Sequence, residues 1–342
     1  MAIASRCRPW LPLSRVQFSA NPIRMNRHAR NSRWSREPKL NKAREPIVAR
    51  LSEDDLAILK LLGRYRYLPS DYIAALTGRS LPALQARLEI LYRKPNAYIN
   101  RPHQQRANAD ANSMRLVYEL DDKGADELRT RGLAYSRKKY LRNFSHELMA
   151  CTIAASFEIG ANTNKELRIL NWQHLINSPQ MPDATKQLAN PQLLTFARYG
   201  QTEGLASDWR PFVVQRNFGS TSYAFVFGFE ADCGTEPLDA ADTERTAIRN
   251  KFVAYLSALD QDVPRRHFGA TTFLIPFVTT TRRRMHSMME LLQRLRPGAF
   301  GKRFLFKHIP SFTAFEKPAP ATGHILLEPW QRAGFDPFSF TE

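Results

Sequence analysis

Three short segments carry leucine and isoleucine residues at helical spacing, and this pattern constrains the fold more than any other feature of the sequence. The first segment follows Ser52, which can cap a helix, and stops at Gly63. The second spans Asp71–Thr77, and the third begins after Ser80 with Pro82 in its first turn, where proline is tolerated. The predicted buried stripes are Leu56, Leu59 and Leu62, then Ile73 and Leu76, then Leu84, Leu88 and Leu91.

Two short strands are predicted after the third helix. They span Ala97–Arg101 and Arg115–Leu120, and a polar loop joins them. Three helices followed by a hairpin are typical of a winged helix-turn-helix, whose recognition helix lies in the major groove of DNA. The sequence therefore predicts such a domain over residues 51–132, with double-stranded DNA as its partner. A three-helix domain that binds a protein, or nothing, is the alternative.

The predicted DNA contacts are polar side chains around the third helix and in the hairpin. Most are expected to touch phosphate, because most protein–DNA hydrogen bonds position the protein without reading the sequence. Glu89 lies on the same face of the helical wheel and would repel phosphate, so base reading is expected to be modest. The predicted contacts are Arg79, Ser80, Gln85, Arg93, Lys94, Arg101, Arg106 and Arg115.

The positive charge of the chain is concentrated at its amino end. Of a net charge of +18, residues 1–50 contribute +10, from twelve Lys or Arg against two Glu. This segment lacks periodic apolar residues and is predicted to be a disordered basic arm. An organelle transit peptide and a true start at Met25 are alternatives. Residues 133–144 are predicted to be a basic linker.

Cysteine spacing and the length of uncharged runs indicate where in the cell the protein is expected. The three cysteines, Cys7, Cys151 and Cys233, have no spacing typical of a disulfide framework or a zinc site. The longest uncharged run, Phe268–Thr281, is shorter than the roughly 20 residues that span a bilayer. We therefore expect a cytoplasmic protein with no membrane partner.

A mixed pattern of helices and strands follows residue 144. It gives a mixed sheet flanked by helices, the layout of restriction-endonuclease-like folds. The predicted fold class is α+β, with the winged helix-turn-helix followed by this α/β domain at residues 145–310 and a carboxy-terminal extension at 311–342. The predicted elements are helix 145–159, strand 167–172, an irregular insertion 178–204, strands 211–215 and 223–229, helix 237–259, strand 270–278, helix 282–295 and strand 303–309.

Carboxylates near the second and third of these strands suggest phosphodiester chemistry. Nucleases of this fold place two acids and a lysine there, because a divalent cation must contact the scissile phosphate. Asp208 precedes the second strand, and Glu230 and Asp232 end the third on one side of the sheet. Asp232 stands where the lysine is expected, so Lys251 on the next helix is the candidate replacement. The predicted catalytic residues are these four, with the three acids as Mg²⁺ ligands.

A structural interpretation of the same segment stays open. Asp232 and Thr235 suit the turn that ends a strand and the cap that starts a helix. On this interpretation the domain holds no cofactor and is not an enzyme. The sequence favours it, with the metal-dependent nuclease as the alternative.

Several motifs together resemble the replication-relaxation family of bacterial plasmids and integrative elements. Leu51–Leu59 matches its Leu-Ser-x-x-Asp-x-x-Ile-Leu opening, and Phe229–Pro237 matches its Phe-Glu-x-Asp-x-Gly-Thr-Glu-Pro segment. The resemblance covers roughly residues 51–295. Smaller matches are Tyr118, Leu120 and Gly124, then His146 and Leu148, then Lys251 and Tyr255.

The resemblance implies a DNA-binding accessory in the replication, mobilisation or maintenance of a mobile element. A replication initiator or a relaxase is a second candidate partner. A transcriptional regulator is a further alternative, and a dimer on a palindromic DNA site would favour it.

Overall fold

A computed structural model describes residues 33–106, 115–133, 143–218, 221–239, 247–295, 298–309 and 318–342 of the chain. Within these ranges the protein is a mixed α and β structure with twelve α-helices and thirteen strands. The strands form three sheets, of three, eight and two strands. The mixed composition of helices and strands that the sequence predicts is confirmed.

The amino-terminal unit, residues 53–130, consists of helices around a three-stranded antiparallel sheet. The third strand in chain order, β3, lies in the middle of this sheet and pairs with β1 on one side and β2 on the other. The elements are α1 (Glu53–Tyr65), β1 (Leu68–Pro69), α2 (Ser70–Thr77), α3 (Leu81–Tyr92), β2 (Ile99–Asn100), α4 (His103–Arg106), β3 (Val117–Leu120) and α5 (Asp122–Thr130).

Local sequence explains where these helices begin and end. The Ser52 side chain accepts a hydrogen bond from the Asp55 amide while the Asp55 carboxylate accepts one from the Ser52 amide, a reciprocal cap for α1. Gly78 ends α2 in the left-handed conformation, at φ 68°. The predicted apolar stripe of α3 is fully buried.

The two hairpin strands are shorter than predicted. They are limited to Ile99–Asn100 and Val117–Leu120, and Ala97, the predicted start of the first strand, has a positive φ of 49° that is not extended. Residues 103–106 of the predicted polar loop form a helical turn. The rest of the predicted polar loop, residues 107–114, lies outside the described residues.

The end of the predicted disordered arm packs against the amino-terminal unit. Arg36 donates a hydrogen bond of 2.7 Å to Asp121 and places its guanidinium over the ring of Tyr92. The prediction of disorder is therefore wrong for residues 33–50, because these partners from distant parts of the chain hold the segment. Residues 1–32 lie outside the described residues.

The second unit begins at residue 144 and is built on the eight-stranded sheet. The predicted irregular insertion contains the two-stranded hairpin β5–β6. The elements are α6 (Phe144–Thr163), β4 (Leu167–Leu170), α7 (Trp172–Ile176), α8 (Asp183–Lys186), β5 (Leu194–Arg198), β6 (Gln201–Leu205), β7 (Phe212–Phe218), β8 (Thr221–Phe227), β9 (Glu230–Asp232), α9 (Ile248–Asp260), α10 (Val263–Phe268), β10 (Phe273–Thr279), α11 (Arg282–Leu295), β11 (Phe304–His308), α12 (His324–Leu327), β12 (Trp330–Arg332) and β13 (Phe335–Phe338).

The large sheet combines an antiparallel half with a parallel centre. β4, β7 and β8 form an antiparallel meander. β10 runs parallel to β8, β9 and β11. Helix α9 connects β9 to β10 and α11 connects β10 to β11, because parallel neighbours need a crossover.

Helices cover both faces of this sheet. Neighbouring residues of β7 show the alternation: Val214 belongs to the apolar cluster that contains α6, and Val213 to the cluster that contains α9 and α11. The carboxy-terminal segment also belongs to the sheet, since β12 pairs with β11 and Trp330 is fully buried. The domain therefore continues past residue 310.

The amino-terminal unit and the second unit share one hydrophobic core. Tyr65 of α1 stacks on Trp209 with ring centroids 5.8 Å apart, and Tyr72 of α2 donates a hydrogen bond of 3.1 Å to the Ala319 carbonyl. Helices α1 and α2 also contact α6 directly. Most of the predicted basic linker, residues 134–142, lies outside the described residues.

Two predicted helix starts in the second unit are wrong. Asn143, not Ser145, caps α6 with its side chain. Helix α9 starts at Ile248, and residues 233–239 have no regular secondary structure where a helix was predicted from Pro237. Thr235 is therefore not the cap of this helix. Residues 240–246 lie outside the described residues.

Candidate functional site

Asp208, Glu230 and Lys251 meet at one edge of the large sheet. The Lys251 ammonium lies 3.0 Å from Glu230 Oε2 and 3.9 Å from Asp208 Oδ2. Glu236 contributes a third carboxylate, 3.5 Å from the same nitrogen. The structure thus brings together three of the four predicted catalytic residues, including the lysine from the following helix.

Three elements hold these side chains in place. Asp208 precedes β7, and its amide donates a hydrogen bond of 3.1 Å to the Phe229 carbonyl. Its carboxylate accepts a hydrogen bond of 2.8 Å from the Ala231 amide, which ties it to β9. Glu230 is the first residue of β9, and Lys251 lies in the first turn of α9. The three charges are therefore positioned by the backbone of two strands and one crossover helix.

Burial shifts the protonation of this cluster. Only 2 % of the Glu230 side chain is exposed, and burial together with the negative charge of Asp208 raises the pKa of Glu230 to about 8. Burial opposes the charge on Lys251, but Glu230 and Asp208 hold the pKa of Lys251 above its ordinary value. A carboxyl group with a pKa near neutrality can exchange a proton at physiological pH, as general acid–base chemistry requires.

His146 of α6 and Tyr255 of α9 complete the cluster. His146 Nε2 lies 3.2 Å from Asp208 Oδ2, and this hydrogen bond raises the pKa of His146. Burial by itself would raise the pKa of Asp208. The hydrogen bond with His146 and the positive charge of Lys251 outweigh burial, so the pKa of Asp208 is lowered. The Tyr255 hydroxyl donates a hydrogen bond of 2.6 Å to Glu230 Oε1.

Neither His146 nor Tyr255 was predicted as a site residue. The sequence held a signal for Tyr255, because it lies four residues after Lys251 and therefore on the same helix face. His146 had no signal of this kind, since α6 is brought to Asp208 by the tertiary fold. Its sequence signal was the motif that His146 and Leu148 share with the resembled family.

Asp232, the fourth predicted catalytic residue, belongs to a separate ion pair. Arg284 of α11 binds its carboxylate with two hydrogen bonds, of 2.5 and 2.8 Å. The Thr279 hydroxyl donates to it at 2.5 Å and the Gly234 amide at 3.1 Å. The side chain is almost fully buried. Glu230 and Asp232 thus contact different cations, Lys251 and Arg284 respectively.

The described residues do not assemble the predicted metal site. Among them, no three His, Cys, Asp or Glu side chains are grouped so that they could hold a metal ion. The Asp232 carboxylate is paired with Arg284, and the Lys251 ammonium contacts both Asp208 and Glu230. Two acids bridged by an ammonium do not fit the predicted three-carboxylate Mg²⁺ site, because a cationic side chain of the protein already lies between them.

The exposed face of α3 carries almost no charge. Ser80 and Gln85, two predicted DNA contacts, are exposed there, beside Leu81, Pro82, Ala83 and Ala86. Lys94 and Arg106 are exposed near the carboxyl end of α3 and in the hairpin.

Two further predicted contacts pair with acids of the first two helices. Arg79 is half-buried and lies 3.7 Å from Asp54. Arg115 is exposed and forms an ion pair of 2.6 Å with Asp71.

Arg93 and Arg101, the remaining predicted DNA contacts, are buried. Both pair with Glu89, Arg93 at 2.5 Å. Arg101 also lies with its guanidinium 4.0 Å from the centroid of the Tyr92 ring. Burial by itself would raise the pKa of Glu89. The two arginines outweigh burial, so the pKa of Glu89 is lowered. The expectation that Glu89 repels phosphate is therefore wrong, because the fold neutralises it, and both arginines are withdrawn from the surface.

The comparison with known families covers both units of the fold. A sequence model described as replication-relaxation matches residues 59–272, more than half of the chain. The chain belongs to the replication-relaxation family. No curated protein and no solved structure matches it.

In this replication-relaxation protein the matched region runs from α1 to the residue before β10. It contains Asp208, Glu230 and Lys251, but it ends before Arg284, the partner of Asp232. Membership of the family supports a role in the replication or mobilisation of plasmids and related elements. No helix in the described ranges has the length and apolar character needed to cross a membrane.

Proposed function

We propose that this replication-relaxation protein binds double-stranded DNA as an accessory in the replication or mobilisation of a mobile element, and that residues 53–130 act as a winged helix-turn-helix. The observation that carries the proposal is the order α1, β1, α2, α3, β2, β3 with the outer face of α3 exposed. A helix enters the major groove more readily when no acidic group faces the phosphates, and Glu89 is neutralised by two arginines.

Basic side chains border α3 and supply phosphate contacts. Lys94, Arg106 and Arg50 are exposed. Arg115 can exchange its carboxylate partner for phosphate, because ion pairs at the surface contribute little to stability. The neutral face of α3 suits binding that tolerates many sequences, in which phosphate contacts dominate. A replication initiator or relaxase would then meet the complex on DNA.

The experiment compares two charge reversals in the full chain. K94E/R106E reverses two charges beside α3, and R129E/R131E reverses two exposed charges on and just after α5, which packs against α1. Affinity for a labelled duplex, measured by fluorescence anisotropy, is expected to fall strongly in the first variant and to stay close to wild type in the second. Equal losses in both variants would refute this docking surface.

A second function, DNA phosphodiester cleavage, is favoured by the convergence of Asp208, Glu230 and Lys251. The meander β4–β7–β8, the crossover α9 and the parallel β10 follow the order predicted for a restriction-endonuclease-like fold. The Lys251 ammonium can stabilise negative charge that develops on a phosphoryl group, and Glu230 can accept a proton from an attacking water.

Plasmid nicking tests this second function. Supercoiled plasmid is incubated with the protein, with Mg²⁺, with Mn²⁺ and with a chelator, and open-circular product is measured. Nicking that disappears in Glu230→Gln and Lys251→Met, but persists in the control Asp239→Asn at an exposed position, is the expected result. Absence of nicking under all three conditions, or nicking that survives both site variants, would refute it.

A further inference from the structure

Two exposed arginines begin helix α11 at the carboxyl ends of the parallel strands. Arg282 and Arg283 are exposed, and among the described residues neither forms an ion pair with an acid. The next residue, Arg284, neutralises Asp232 and is half-buried. Of these three adjacent arginines, Arg284 therefore forms an ion pair within the fold, whereas Arg282 and Arg283 face solvent.

The position of these arginines is unfavourable for the fold by itself. The amino end of a helix carries partial positive charge, so cations in its first turn are repelled and anions are attracted. His286 is exposed on the same helix, and burial together with Arg282 and His286 lowers the pKa of His308 at the end of β11. Arg282, Arg283 and His286, which we name the carboxyl-edge patch, thus concentrate potential cations beside His308, whose own charge the lowered pKa disfavours.

The carboxyl-edge patch borders the Asp208–Glu230–Lys251 cluster. Arg284 Nη2 donates a hydrogen bond of 2.5 Å to the Glu236 carbonyl, and the Glu236 carboxylate lies 3.5 Å from the Lys251 ammonium. The crevice beyond the carboxyl ends of parallel strands is also where open α/β sheets bind ligands. An anion on the patch would therefore lie beside the candidate site.

We propose that the carboxyl-edge patch is a second DNA-contact surface, at which Arg282, Arg283 and the first turn of α11 bind the phosphate backbone. This inference rests on the proposed DNA-binding function and adds a path for the nucleic acid across the second unit. The recognised chemistry is the phosphodiester itself, since Arg282 and Arg283 offer exposed guanidinium groups that pair with phosphate. Phosphate groups compensate the charges that the helix terminus disfavours.

Salt dependence of duplex affinity tests the patch in the full chain. R282Q/R283Q removes two charges from the patch, and R265Q/R266Q removes two exposed charges from α10, which precedes β10 and so lies at the opposite edge of the sheet. Each lost phosphate contact lowers the slope of log K against log salt by about 0.9. The slope is expected to fall by about 1.8 in the patch variant and to stay unchanged in the control.

The charge-reversed variant R282E/R283E adds a second readout. Acidic residues suit the first turn of a helix, so its melting temperature is expected to rise while its affinity for DNA falls. A lower melting temperature together with weaker binding would assign the arginines a structural role and overturn the proposal. Equal salt slopes for the patch variant and the control would overturn it as well. If the wild-type protein binds no DNA, the proposed function itself fails, which is a distinct outcome.

Discussion

Replacing Glu230 with glutamine removes a buried ionisable group and keeps the shape of the side chain. Burial and the charge of Asp208 raise the pKa of Glu230 from 4.5 to about 8 in the folded protein. The folded chain therefore holds this proton more tightly than the unfolded chain does. The contribution of Glu230 to stability is best below pH 4.5, falls as the pH rises from 4.5 to about 8, and is constant above that range.

The magnitude follows from the two pKa values. One pKa unit corresponds to about 1.4 kcal/mol. At pH 7, well above the unfolded value, keeping Glu230 in its buried position costs the folded state about 3 kcal/mol. Glutamine does not ionise, so Glu230→Gln lacks this cost. The difference in unfolding free energy between variant and wild type is expected to grow by about 1.4 kcal/mol per pH unit between about pH 5 and pH 7.5, in favour of the variant.

Urea denaturation of both proteins across this pH range measures the difference. The control is Glu166→Gln, because Glu166 is exposed and its removal is expected to leave the pH dependence of wild type unchanged. If the curves of Glu230→Gln and wild type run parallel from pH 5 to about pH 8, Glu230 is ionised throughout, and the argument that burial holds its proton is refuted.

Three further predictions concern buried charges. Arg284→Met leaves Asp232 buried without its cation, so urea denaturation is expected to show a loss of about 3–5 kcal/mol; an unchanged midpoint would contradict the ion pair. Glu89→Gln leaves its two arginine partners buried without a carboxylate and is expected to cost about 3 kcal/mol; melting as in wild type would contradict it. Burial lowers the pKa of Lys307 from 10.5 to about 8, so the unfolded chain binds its proton more tightly. Wild type should therefore gain stability relative to Lys307→Met as the pH rises from about 8 to 10.5, whereas a constant difference would refute the shift.

Helical periodicity made much of the fold predictable. The stripe of Leu84, Leu88 and Leu91 predicts the buried face of α3, and the structure places all three in the core. The strands β1 and β9 were not predicted as separate elements, because two or three residues show no alternation. The packing of residues 33–50 was missed since it depends on partners such as Asp121, far along the chain.

The site was partly predictable for a related reason. Lys251 could be predicted as a site residue from the order of elements along the chain. The acids lie near the ends of two strands, and Lys251 lies on the helix that follows the second of these strands. The pairing of Asp232 with Arg284 was missed, because the two residues are separated by 52 positions and nothing local links them. Arg93 and Arg101 were assigned to the surface because a helical wheel cannot show that Glu89 binds both of them.

The salt dependence of duplex binding by the wild-type chain tests the central claim most directly. Lys94, Arg106, Arg50, Arg115, Arg282 and Arg283 supply six candidate phosphate contacts, so log K is expected to fall by about 5.4 for each tenfold rise in salt, a loss of roughly three orders of magnitude between 50 and 200 mM. Binding that is tight at low salt and weakens along this slope is the predicted result. An affinity that does not change with salt, or no measurable affinity for duplex DNA at low salt, would contradict the account.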